Sequence, residues 1–196
     1  MSKTLELFFD LGSPATYLAY TQLPALCAAT GATLVYQPML LGGVFKATGN
    51  ASPITVPAKG RYLFNDLARY AQRYNVTLKF NPHFPINTLM LMRAVTGMQL
   101  HQPERFQGFI DCLFRALWVE GRNMGDPAVV AAVLTEAGFN PEEVLALAND
   151  ESVKAALKDN TEQAVQRGVF GAPSMFVGNQ LFFGQDRLDF VREALS

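Results

Sequence analysis

Leu5-Glu6-Leu7-Phe8-Phe9-Asp10-Leu11-Gly12-Ser13-Pro14-Ala15-Thr16-Tyr17-Leu18 decides how the chain begins. Residues 5–9 are rich in strand formers, and Asp10 and Gly12 end the run. A helix then opens with Ser13 as N-cap and Pro14 at the first helical position, where its missing N–H costs nothing. It runs through Tyr17, Leu18, Leu23, Leu26 and Cys27 to Thr30-Gly31, with a local kink expected at Pro24. Thr33-Leu34-Val35-Tyr36-Gln37 reads as the next strand. Strands joined through a helix need a crossover, so the spacing predicts a parallel pair. A thiol–disulfide enzyme would carry Cys-x-x-Cys where this helix starts. The chain has Ser13-Pro14-Ala15-Thr16 there, and neither sulfur.

Beyond residue 40 the pattern turns helical, with helices expected over 57–75, 87–99, 103–119, 126–137, 141–149 and 151–168. Asp126-Pro127 and Asn140-Pro141-Glu142-Glu143 are helix starts, a capping residue followed by proline. Residues 41–57, rich in glycine and proline, read as an irregular loop with at most a short helical turn. Asn81-Pro82-His83-Phe84-Pro85 reads as a turn-rich connection. Strand signal returns in Ser174-Met175-Phe176-Val177 and Gln180-Leu181-Phe182-Phe183, which flank a Gly178-Asn179 hairpin turn. A last helix is expected over 186–195. The order βαβ, helical block, ββα predicts an α/β fold: a mixed sheet built from 1–39 and 169–196, interrupted by an all-helical insertion over 40–168.

With 196 residues the chain can bury roughly 70% of its unfolded surface. An apolar share of 49% against 17% charged residues indicates an ordinary core. A net charge of −1 offers no field for a polyanion, so nucleic acid is not an expected partner. The apolar run 89–95 is interrupted by Arg93 and too short for a bilayer. No apolar leader is read in Met1-Ser2-Lys3-Thr4, and a cytoplasmic location is expected. Cys27 and Cys112 lie far apart in helical patterns and read as reduced, packed thiols. His83 and His101 lack ligand spacing, so no metal is expected.

Three short elements could carry chemistry. Ser13 at a helix N-terminus can donate to an anion held by the helix dipole, or can simply cap the helix. Gly171-Ala172-Pro173-Ser174 invites a cis bond at Ala172–Pro173 and leaves a backbone edge to which an extended peptide could add; alone it is also a turn with a proline. Gly184-Gln185-Asp186-Arg187 offers amides and a carboxylate to the charged ends of an amino acid, or a plain cap.

Together these elements resemble the kappa-class glutathione transferases and, more closely, the 2-hydroxychromene-2-carboxylate isomerases. The resemblance rests on Asp10 to Ala19, Gly49-Asn50, Lys59 with Tyr62 and Asp66, Pro85 with Asn87-Thr88-Leu89, Val169 to Pro173, and Phe183 to Arg187. It implies a thioredoxin-like fold with a helical insertion and glutathione as cofactor. By that resemblance Ser13 hydrogen-bonds the glutathione sulfur and favours its thiolate. Ala172 pairs with the cysteinyl part, and Phe183, Gly184, Gln185 and Asp186 hold the γ-glutamyl end. Asn50, Lys59 and Asn87 line the substrate cleft, with 51–58 differing in length from the isomerases. The implied activity interconverts 2-hydroxychromene-2-carboxylate and trans-o-hydroxybenzylidenepyruvate, or a close analogue, in aromatic catabolism. The alternatives are a kappa-like transferase or peroxidase and a non-catalytic thioredoxin-like binding module. The families also imply a homodimer.

Overall fold

A computed structural model describes residues 3–196. Met1 and Ser2, to which the expectation of no leader extends, lie outside the described residues. β1 (Thr4–Phe9) pairs in parallel with β2 (Thr33–Pro38), as the crossover through α1 (Pro14–Thr30) requires. β3 (Ser174–Val177) runs antiparallel on the other side of β1 and carries β4 (Gln180–Phe183), giving the order β2-β1-β3-β4. The strand β1 is therefore interior, and its side chains alternate between two cores. Leu5, Leu7 and Phe9 join Leu18, Leu23, Val95, Phe109, Phe114 and Trp118 in the larger one. Phe8 turns the other way, to Met39, Val44, Ala164, Val169 and Phe176. Glu6 shares that second face and forms a two-pronged ion pair with Arg167, whose guanidinium also lies 3.9 Å from the Phe176 ring centre.

The helical block contains a helix that the sequence reads as loop. Residues Leu41–Thr48 form α2, closed by Gly49 at φ 68°. Two glycines in its first turn lower its intrinsic propensity, and tertiary contacts supply what propensity lacks. The Leu41 amide is held by the Asp10 carboxylate at 2.8 Å. A Cβ on Gly43 would sit 3.1 Å from Thr161 Cγ2, so glycine lets α2 approach α8 (Glu151–Gln166) closely. A 3₁₀ turn at Pro53–Thr55 leads into α3 (Pro57–Tyr74).

Next, α4 (Leu89–His101) begins two residues later than its pattern suggests, because the Asn87 side chain caps the Leu89 amide from outside at 3.0 Å. After α5 (Pro103–Arg115) the chain widens into a π turn at Ala116–Glu120. That turn seats Trp118, which is 1% exposed and donates through Nε1 to the Leu11 carbonyl at 2.8 Å. Buried Asn81 donates to the Leu117 and Arg122 carbonyls, so the 81–85 connection closes the end of this turn. The peptide bond Phe84–Pro85 is cis.

The helices α6 (Pro127–Glu136) and α7 (Pro141–Asn149) start on the Asp126 and Asn140 caps the sequence announces. α8 ends at Gln166, short of the expected 168, with Gly168 at φ 90° beyond it. The Gly178-Asn179 hairpin forms with Val177 opposite Gln180. The expected last helix is a 3₁₀ turn, Gln185–Arg187, followed by α9 (Leu188–Leu195). Among the described residues no helix is long and apolar enough to cross a membrane.

Candidate functional site

Ser13 leaves β1 with extended backbone (φ −97°, ψ 114°) and caps α1: its Oγ accepts from the Thr16 amide at 3.1 Å. The same hydroxyl donates to the Ala172 carbonyl at 2.9 Å. Ala172–Pro173 is cis, as the sequence led us to expect, and packs against the N-terminus of α1. Pro173 in turn gives its carbonyl to the Gly184 amide at 3.0 Å. Ser13, Ala172 and Gly184 are therefore linked in series through three segments of chain.

The loop before Ala172 is fixed from two sides. Asn50 donates from its side-chain amide to the Phe170 carbonyl at 2.8 Å and accepts from Ala51 N–H at the same distance. The Phe170 and Phe183 rings lie 4.6 Å apart, and a Cβ on Gly171 would come within 2.7 Å of the Phe183 ring. Gly184 has φ 103° and ψ 153°, a conformation open to glycine alone. A Cβ there would meet Asp186 Oδ1 at 2.5 Å, so the Asp186 carboxylate lies against the open face of Gly184 and also pairs with Arg187. The buried Gln185 carbonyl accepts from the Tyr74 hydroxyl, which ties this corner to α3.

Of the residues expected to line a substrate cleft, Asn50 thus joins the Ala172 loop. Among the described residues, Asn87 is tied to the Ser13 turn through its neighbour Thr88, whose hydroxyl donates to Asp10. Lys59 stands exposed in the first turn of α3, and no contact ties it to the others among the described residues. The sequence shows Asp10 as a strand end and as the first residue of the Asp10 to Ala19 motif, but not what it binds. It is 1% exposed and accepts from Gly12 N, Leu41 N and Thr88 Oγ1 at 2.8, 2.8 and 3.0 Å. Burial pushes its carboxyl above the usual range, and the three hydrogen bonds pull the other way.

The local chemistry can be read as a list of needs. Among the described residues nothing accepts from the Ala15 or Ala172 amides, and Ala172 O keeps a second lone pair. An unpaired N–H beside its own carbonyl is what one residue of an extended peptide requires. The α1 N-terminus and the Ser13 hydroxyl favour an anion next to it, and Asp186 favours a cation farther along. A short extended peptide that carries an ionisable group and a terminal ammonium would meet these demands. The chain's own sulfurs are badly placed for the role. Cys27 is buried, Cys112 half-buried, and burial raises both thiols, Cys112 to about 12. An apolar hollow of about 70 Å³ opens beside Pro14, walled by Phe64, Phe80 and Trp118.

The sequence and the fold match those of known proteins. The model of the DSBA-like thioredoxin domain matches residues 4–196. A 2-hydroxychromene-2-carboxylate isomerase from Sphingobium xenophagum is 30% identical over 197 residues, covering 100% of this chain and 99% of its own length. Glutathione S-transferase kappa 1 of Homo sapiens is 28% identical over 207 residues, covering 100% and 92%. A solved 2-hydroxychromene-2-carboxylate isomerase structure superposes with a TM-score of 0.85 at 27% identity, over 98% of this chain and 94% of that one. The chain belongs to the DSBA-like thioredoxin domain family, in the company of the 2-hydroxychromene-2-carboxylate isomerases and the kappa-class glutathione transferases.

Proposed function

We propose that this chain is a glutathione-dependent isomerase acting on 2-hydroxychromene-2-carboxylate or a close analogue. The observation that carries the reading is the Ser13 hydroxyl at the α1 N-terminus, 2.9 Å from Ala172 O, with no protein thiol fit to take its place. Glutathione, held by Ser13, Ala172 and Asp186, would supply a nucleophilic sulfur for reversible addition to a substrate double bond. The protein's part is positioning and charge. Turning the Ser13 O–H about its Cβ–Oγ bond redirects the proton from Ala172 O toward the cleft, while Oγ continues to accept from Thr16 N–H. The helix dipole adds roughly 0.3–1 kcal/mol in favour of a negative charge there. Ala172 N–H and C=O hold the peptide unit, Asp186 holds the ammonium, and the hollow beside Pro14, too small at about 70 Å³ to enclose a bicyclic ring, offers an aromatic surface against which the substrate ring rests. Asn50, Lys59 and Asn87 line the side from which substrate enters, and Lys59 offers a cation to the substrate carboxylate. Assembly as a homodimer belongs to the same proposal.

Full-length similarity to a kappa transferase favours a second reading, in which the same site conjugates electrophiles. A mass balance separates the two. Chromene acid converted with all glutathione recovered free supports the isomerase; glutathione consumed one for one supports the transferase. Conversion at the same rate without glutathione contradicts both.

A further inference from the structure

Three donors from three parts of the chain converge on one buried carboxylate. Asp10 Oδ1 accepts from the amide of Gly12, the residue before Ser13. Asp10 Oδ2 accepts from the amide of Leu41, which opens α2, and from the hydroxyl of Thr88, which follows Asn87 and precedes α4. Thr88 also presses on the Ser13 turn directly, since a Cβ on Gly12 would lie 3.0 Å from Thr88 Cγ2. Desolvating a carboxylate is unfavourable, and only its charge-assisted hydrogen bonds offset the cost. An asparagine would aim an NH₂ at either the Gly12 or the Leu41 amide, donor against donor, so the amide is no substitute.

From this convergence we infer that Asp10 is a positioning residue that fixes the Asn87–Thr88 wall of the cleft against the Gly12–Ser13 wall. It does so through the Thr88 hydroxyl and touches neither cofactor nor substrate. The inference rests on the isomerase reading for its catalytic consequence, but the mechanical link is independent of that reading.

The test uses full-length Thr88→Val, Thr88→Ser and Asp10→Asn. With chromene acid and saturating glutathione, Thr88→Val should raise KM or lower kcat by roughly tenfold, the scale of one hydrogen bond to a charged group. Its calorimetric affinity for glutathione should stay within about twofold of wild type. Thr88→Ser, which keeps the hydroxyl, should restore the wild-type values. Asp10→Asn should weaken glutathione binding as well. Wild-type kinetics in Thr88→Val, or Thr88→Ser behaving like Thr88→Val, would overturn the inference.

Should the wild-type protein leave chromene acid unchanged, the isomerase reading fails while the link remains testable by amide hydrogen exchange. Thr88→Val should then lose protection both around Leu89 and around Ser13. Loss confined to the segment carrying residue 88 would overturn the link.

Discussion

Ser13 and Ala172 lie 159 residues apart in sequence, yet the hydroxyl of one donates to the carbonyl of the other at 2.9 Å. The bond joins the start of α1 to the cis bond before β3, and so joins the proposed sulfur position to the proposed peptide-binding edge. Ser13→Ala removes this donor and also the acceptor for Thr16 N–H. Loss of the cap should cost about 0.5–2 kcal/mol, seen as a drop in Tm of roughly 2–4 °C per kcal/mol. Turnover should fall roughly a hundredfold, as when a donor to a developing anion is lost. A variant with normal turnover and only the lower Tm would reduce Ser13 to a cap.

Gly184 and Gly178 make a matched pair for testing the Asp186 corner. Both have positive φ, 103° and 58°. Gly178→Ala meets nothing within 4 Å and should carry only a left-handed backbone penalty of about 1–2 kcal/mol. Gly184→Ala adds a collision with Asp186 Oδ1. Denaturant melts should show both variants destabilised, and calorimetry should show glutathione affinity lost in Gly184→Ala alone. Equal affinities would separate Asp186 from the cofactor site.

The two cysteines should be slow nucleophiles. The thiolate is the reacting form, and raising a thiol pKa lowers its population tenfold per unit at neutral pH. Burial raises Cys27, and burial with the nearby Asp111 charge raises Cys112 to about 12. Alkylation followed by intact mass should therefore be sluggish near neutrality for both and should accelerate toward strongly alkaline pH. Rapid labelling near neutrality would point to a reactive thiol of the protein's own.

Trp118→Phe keeps an aromatic ring against Phe84 but deletes the donor to Leu11 O. A buried carbonyl left without a partner costs about 1–3 kcal/mol, which equilibrium urea unfolding should register. Full stability would mean the Leu11 carbonyl finds another donor.

Local signals account for what the sequence disclosed. Ser13-Pro14, Asp126-Pro127 and Asn140-Pro141 start helices where their composition says they should, and Gly178-Asn179 turns a hairpin. The cis bond at Ala172–Pro173 was legible for the same reason. α2 and the distant partners of Asp10 were not legible, and the cause is common to both. Besides Gly12, two residues on, Asp10 finds its partners 31 and 78 residues away. α2 owes its first amide bond to Asp10 and its glycine at position 43 to the closeness of α8. Such contacts have no local signature. The link from Asn87 through Thr88 to the Ser13 turn was hidden for the same reason.

The proposed nucleophile is a thiolate that the protein does not itself possess. The most direct measurement is the ultraviolet absorbance of glutathione thiolate in the wild-type complex, followed against pH and compared with Ser13→Ala. We predict a bound thiol titrating below the ~8.5 of a free one, and a shift back upward in Ser13→Ala with glutathione still bound. A bound thiol that titrates like free glutathione, or a depressed value unchanged in Ser13→Ala, would contradict the role assigned to Ser13.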